Sequence, residues 1–217
     1  LNYLKAFSIF LLAGAAASAG TLTQIANFST LAPNSTVSWG AAIDEGSSPA
    51  SPYSRTAGGV GVTAVHTGDF LILVQGSAFF GNFNNGDVVL NSNFVDGPVT
   101  INFASLVQGA GLRIQRDELG PFTATLTAFG LGSVNFGSVS VTGTTGFSDP
   151  GDGTAPFLGV LSSALDIASI QLSVSHVGGV AGDTVDFTDL GVVVPEPSTV
   201  TLMLAAGALL AFRKTRR

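Results

Sequence analysis

Phe122-Thr123-Ala124-Thr125-Leu126-Thr127-Ala128-Phe129 alternates apolar and hydroxyl-bearing side chains without a break. Successive side chains of an extended chain point to opposite faces. Phe122, Ala124, Leu126 and Ala128 therefore share one face, and Thr123, Thr125 and Thr127 share the other. A period of two marks a strand with one buried and one wet face, and β-branched threonine suits it. Ile170, Leu172 and Val174 repeat the pattern. Working outward, further strands are expected at Val60–His66, Phe70–Gln75, Asp87–Asn91, Val99–Phe103, Leu112–Gln115, Val134–Val141, Phe157–Leu161, Ile167–Ser175 and Val185–Val193. An earlier pair is expected at Gln24–Phe28 and Thr36–Trp39. Asn85-Gly86-Asp87 and Asp96-Gly97-Pro98 supply tight turns. The Ser-, Pro- and Gly-rich stretch from Asp44 to Gly59 is expected as a surface loop, and so is Asp149 to Gly153. The 28 glycines leave no amphipathic helical pattern of useful length. The expected fold is all-β: an antiparallel, jelly-roll-like β-sandwich over residues 20–194. A domain of that size buries about two-thirds of its unfolded surface, enough for a core without cross-links.

Composition narrows the function classes. The chain has 217 residues, 46% of them apolar, and no cysteine. Disulfide staples, iron–sulfur centres and thiol catalysis are excluded. Residues 20–194 carry thirteen acidic residues against Arg55, Arg113 and Arg116. A phosphate backbone needs several basic contacts, so nucleic acid is excluded as a partner.

The two ends read as addresses. Residues 1–19 place Lys5 before an apolar stretch and end in Ala17-Ser18-Ala19, the pattern of a secretory signal cleaved by signal peptidase after Ala19. At the other end, Pro195-Glu196-Pro197 precedes an uncharged apolar run, 198–212, and a basic cluster of Arg213, Lys214, Arg216 and Arg217. Fifteen helical residues span about 22 Å, and snorkelling basic side chains with local thinning make up the remainder of a bilayer. The basic cluster is expected to stay cytoplasmic, which leaves the acidic domain on the far side.

The set Val194-Pro195-Glu196-Pro197-Ser198, short apolar helix and basic cluster resembles the PEP-CTERM sorting signal of Gram-negative bacteria. The resemblance implies recognition by an exosortase, a membrane-embedded cysteine protease-like enzyme. It also implies transient membrane anchoring, and tail removal near the Pro-Glu-Pro motif on delivery to the surface or extracellular matrix. Hosts of such proteins usually make exopolysaccharide and biofilm. Gly109 to Gln115, Ala155 to Val160 and Val185 to Leu190 are similar to segments of extracellular domains that precede such tails. That similarity implies a β-sandwich and names no activity.

Candidate chemistry in the middle is sparse. His66 and His176 have no histidine or cysteine at zinc-ligand spacing. There is no Gly-x-Ser-x-Gly elbow and no phosphate loop. Calcium is the one small-ligand candidate, through Asp183, Asp186 and Asp189. On a regular strand a spacing of three sends Asp186 to the opposite face, so convergence requires a turn or a bulge. Asp149 and Asp152 form a second candidate calcium loop. Carbohydrate binding requires exposed rings. Phe79, Phe80 and Phe83 in an Asn-rich turn are the candidates, with Trp39 and Tyr53 as the other aromatic choices. The favoured function is non-enzymatic: a structural or adhesive component of the surface or exopolysaccharide matrix. The rivals are a carbohydrate-binding module and an extracellular hydrolase with paired carboxylates.

Overall fold

The computed structural model describes residues 20–40, 44–176 and 183–194. Its strands are β1 Leu22–Ile25, β2 Ser35–Val37, β3 Tyr53–Ala57, β4 Val60–Val65, β5 Leu71–Val74, β6 Val88–Asn91 and β7 Val99–Val107. They continue with β8 Gly109–Arg116, β9 Gly120–Phe129, β10 Asn135–Thr145, β11 Phe157–Ser162, β12 Ile167–His176, β13 Val185–Phe187 and β14 Leu190–Val193. A one-turn helix, α1, spans Phe28–Leu31.

The strands form two antiparallel sheets. One runs β10-β9-β12-β7-β4-β3. The other runs β1-β11-β8-β13-β6-β5, with β14 joining β2 to β8. From β4 onward the chain crosses repeatedly between the sheets, as in a jelly roll. The expected β-sandwich is thus observed. Its core lies between the sheets: Phe122, Ala124, Leu126 and Ala128 of β9 and Ile170, Leu172 and Val174 of β12 meet Leu112, Ile114, Phe187 and Val192 opposite. Thr125 and Thr127 face outward and share hydrogen bonds with Ser140 and Ser138 at 3.0 and 2.8 Å.

Four expectations change. The stretch from Asp44 to Gly59 contains β3, paired with β4. Its inward residues are amphipathic: the Tyr53 hydroxyl and Arg55 Nε both donate to the Trp39 carbonyl, at 2.7 and 3.1 Å. A strand that turns an arginine inward shows no hydropathy alternation. The expected strand Gln24–Phe28 ends at Ile25, because Asn27 caps α1 by accepting from Thr30 N at 2.7 Å. The expected strand Thr36–Trp39 is Ser35–Val37, and Trp39 lies beyond it, wholly buried. Finally, Val185–Val193 is two strands. Phe187 pairs with Ile114 but Gly191 pairs with Gly111, so the stretch has one residue more than β8 offers. The extra residue is a bulge, and the core positions shift from Val185 and Phe187 to Leu190 and Val192.

The outer face of the β8 sheet is covered. Gly191, Gly111 and Gly159 align across β14, β8 and β11. A Cβ at Gly111 would lie 2.5 Å from the Phe157 ring, and one at Gly191 would lie 2.8 Å from the Phe28 ring. The glycines are there because two rings lie against the bare backbone. A second cover is the strap Gln75–Asp87. Its Phe79 and Phe83 pack with Val89, Ala155 and Leu73.

Candidate functional site

Beneath the strap runs a row of polar side chains. Asn91, Asp186 and Gln115 are register neighbours across β6, β13 and β8, and all three are wholly buried. Asn91 Nδ2 donates to Asp186 Oδ1, and Gln115 Oε1 accepts from Asn82 N at 2.9 Å. The Gln115 side-chain amide also interacts with the Asp186 carboxylate, which works against the effect of burial on that carboxyl. Burial, with the nearby Asp117 charge, pushes the Asp186 carboxyl well above the usual carboxylate range.

The strap is tied to the 146–155 loop through polar bonds. Asn82 Nδ2 donates to the Asp152 carboxylate at 3.1 Å, and Asn82 Oδ1 accepts from Gly146 N at 2.7 Å. Gln75 Nε2 donates to the Ser148 and Pro150 carbonyls at 3.1 and 3.0 Å. Asp152 also accepts from Thr154 N, and that bond leads the causes that lower its pKa.

Two clefts open at the margins of this cover. The first, about 260 Å³, is lined by Phe80, Gly81, Gln115, Asp117, Leu119 and Phe147. Phe80 and Phe147 stack with centroids 5.3 Å apart and planes inclined by 28°. Phe147 is 73% exposed and Leu119 66%. Desolvation, then the Glu118 charge, raises the Asp117 carboxyl. The second cleft, about 400 Å³, is lined by residues that include Phe28, Asn84, Asp87, Arg113 and Asp189. Arg113 Nη1 donates to the Gly153 and Ala155 carbonyls at 2.7 and 3.0 Å. Burial raises the Asp189 carboxyl against the lowering effect of bonds from Ser38 and the Trp39 backbone.

The three aspartates considered for calcium go to separate partners. Asp183 pairs with Arg116 at 2.8 Å and accepts from His176 N at 2.8 Å. Asp186 lies in the buried row, and Asp189 lines the second cleft. The bulge does intervene, yet Asp189 meets Ser38 and the Trp39 backbone rather than Asp183. Among the described residues no three His, Cys, Asp or Glu side chains are grouped to hold a metal. His66 Nδ1 accepts from Gly68 N at 3.1 Å, and its ring lies 4.2 Å from that of Phe70.

Of the rings considered for carbohydrate, Phe79 (8% exposed), Phe83 (0%) and Trp39 (0%) present no face to a ligand. Trp39 Nε1 donates to the Thr188 carbonyl at 2.9 Å, and its ring meets Phe187 edge-on. The Tyr53 hydroxyl is spent on the Trp39 carbonyl. Phe79 and Phe80 both line the first cleft, but of the two only Phe80 is part-exposed, and its partner Phe147 was not among the sequence candidates. The signal for Phe147 was present: a large ring between glycine and Ser148-Asp149-Pro150, beyond the end of β10. Arg113 and Gln115 were hidden inside a strand, where only the register shows that they face the cover.

Ala17 and Ala19, Pro195 to Pro197, the 198–212 run and Arg213, Lys214, Arg216 and Arg217 lie outside the described residues. Among the described residues no helix is long and apolar enough to cross a membrane.

The molecule is therefore a two-sheet β-sandwich followed directly by the C-terminal address. That address is shown by comparison: residues 193–217 match the PEP-CTERM protein-sorting motif. The chain thus carries a PEP-CTERM protein-sorting motif after its sandwich. The motif implies exosortase as a processing partner and export to the cell surface or beyond. Comparison with curated proteins finds no match. Among solved structures, the chain is similar to a DUF4465 family protein from Bacteroides caccae, at 9% identity and TM-score 0.37. That match covers 77% of this chain and 98% of the other. It is also similar to CsCBM6-3 from Clostridium stercorarium, solved in complex with cellobiose. There the identity is 10% and the TM-score 0.31, over 61% of this chain and 86% of that one.

Proposed function

We propose that the protein is a non-enzymatic structural or adhesive component of the cell surface or exopolysaccharide matrix, delivered by its C-terminal sorting signal. The observation that carries this reading is the sorting-motif match at residues 193–217. The disposition of the acidic residues supports it. Asp152 ties the strap to its neighbouring loop and Asp183 pairs with Arg116. These carboxylates hold the scaffold. The reading is tested by fractionating cells that express the native chain or its Pro195→Ala/Pro197→Ala variant. The native protein is expected outside the membrane fraction, with the variant retained in it. Equal release of both would overturn the sorting step.

A second reading, carbohydrate binding, is favoured by one observation: the stacked Phe80–Phe147 pair beside a cleft with a polar floor.

A further inference from the structure

We infer that the cleft between the strap and the β8–β9 turn binds a neutral, gluco-configured polysaccharide. A sugar ring would rest on Phe147, with its hydroxyl edge turned toward Asp117. The inference builds on the carbohydrate reading of the same cleft and extends it to a ligand class and a pose.

Three features select this ligand. The first is the platform. Phe147 is 73% exposed and stacked on half-buried Phe80, so one ring is steadied by another and turns a free face outward. The negative face of an aromatic ring attracts the weakly positive C–H groups of a pyranose, which gather on its faces when the hydroxyls are equatorial. Exposed Leu119 extends the apolar rim.

The second is the floor. Gln115 lines the cleft and is wholly buried, its side chain engaged by Asn82 N and the Asp186 carboxylate. Asp117 stands beside it. A purely apolar occupant, such as a lipid chain or an aliphatic side chain, would seal the Asp117 carboxyl off unpaired, at a cost of about 1–3 kcal/mol. A ligand with one apolar face and a hydroxylated edge leaves no such penalty.

The third is charge. Asp117 lines the cleft, and residues 20–194 carry thirteen acidic residues against three arginines. A uronic or phosphorylated polymer would be repelled.

The test uses the full chain in dimethyldodecylamine oxide micelles, a detergent without a sugar head group. Cellohexaose is titrated by calorimetry, with oligogalacturonate of the same length as the anionic comparator. Binding of cellohexaose is expected, with oligogalacturonate at least tenfold weaker. Phe147→Ala should lower the affinity at least tenfold, and Phe147→Trp should raise it severalfold. Phe28→Ala, at the other cleft, should leave it unchanged. Phe147 is exposed, so its variants keep the fold, which circular dichroism checks. Absence of cellohexaose binding, tighter binding of the anionic chain, or an affinity indifferent to Phe147→Ala would each overturn the inference. Fractionation reads export separately. A protein that is exported but binds no saccharide sinks the cleft assignment alone, and one that binds but stays inside the cell sinks the surface role alone.

Discussion

The two sheets expose outer faces of opposite character. On the β10-β9-β12 sheet the outward positions are Thr123, Thr125, Thr127, Ser138, Ser140, Thr142, Ser173 and Ser175. Their hydroxyls pair across strands or meet water, so this face needs no cover. On the β8 sheet the outward positions include Leu73, Val89, Asn91, Asp186, Gln115 and three aligned glycines. Neither apolar side chains nor bare strand backbone are stable against water there, and α1, Phe157 and the strap lie over them. A strap has margins, and clefts form along them. Both clefts described above lie at those margins.

The comparison breaks most severely at the strap's anchor. Phe83→Ala is expected to cost about 3–5 kcal/mol by urea denaturation, as for a buried phenylalanine. Hydrogen exchange should rise first in 75–87, and a cost below about 1 kcal/mol would show that the strap is not a structural cover. At the glycine row, Gly111→Val should cost about 1–3 kcal/mol, since its side chain collides with Phe157 and with the backbone at Gly159.

A pH series sharpens the contrast. Asp186, Asp117 and Asp189 all have raised carboxyl pKa values. The folded state keeps protons that the unfolded chain releases, so folding takes up protons. The stability these three groups contribute is then greatest below the unfolded aspartate pKa and falls as pH rises toward their folded values, opposite in sign to the contribution of Asp152. Each such proton contributes a slope of about −1.4 kcal/mol per pH unit while it is held. Asp186→Asn should remove one proton's share of that slope and shorten the pH range over which stability falls. An unchanged slope would show that Asp186 is ionised in the fold. The smallest effect belongs to the bare face. Thr125→Ala loses one exposed bond to Ser140 and should change stability by less than about 0.5 kcal/mol.

The same contrast explains what was legible in the sequence. Strands β9 and β12 were plain because water and core impose opposite demands on their two faces. The β8 sheet was harder, since both of its faces are buried and alternation fades: Leu112-Arg113-Ile114-Gln115 shows a strand but not what covers it. The bulge at Thr188–Asp189 left no local signal, because it is set by registry with β8. Strand β3 was missed because its inward residues, Tyr53 and Arg55, bond to the Trp39 carbonyl. In the cleft, Phe80 was legible as one of three rings in an Asn-rich turn. Phe147 lies 67 positions away and meets it only through the pairing of the strap with the 146–155 loop. The sorting motif was legible, since it is read by composition and order rather than by tertiary contact.

The central claim is that the sandwich is cargo and the tail its address. Intact-mass analysis of native protein recovered from the culture fluid and matrix, with both termini sequenced, tests it most directly. The account predicts a chain beginning at Gly20 and ending near Pro195–Pro197. Recovery only of chains that still carry the tail to Arg217, confined to the membrane fraction, would contradict it.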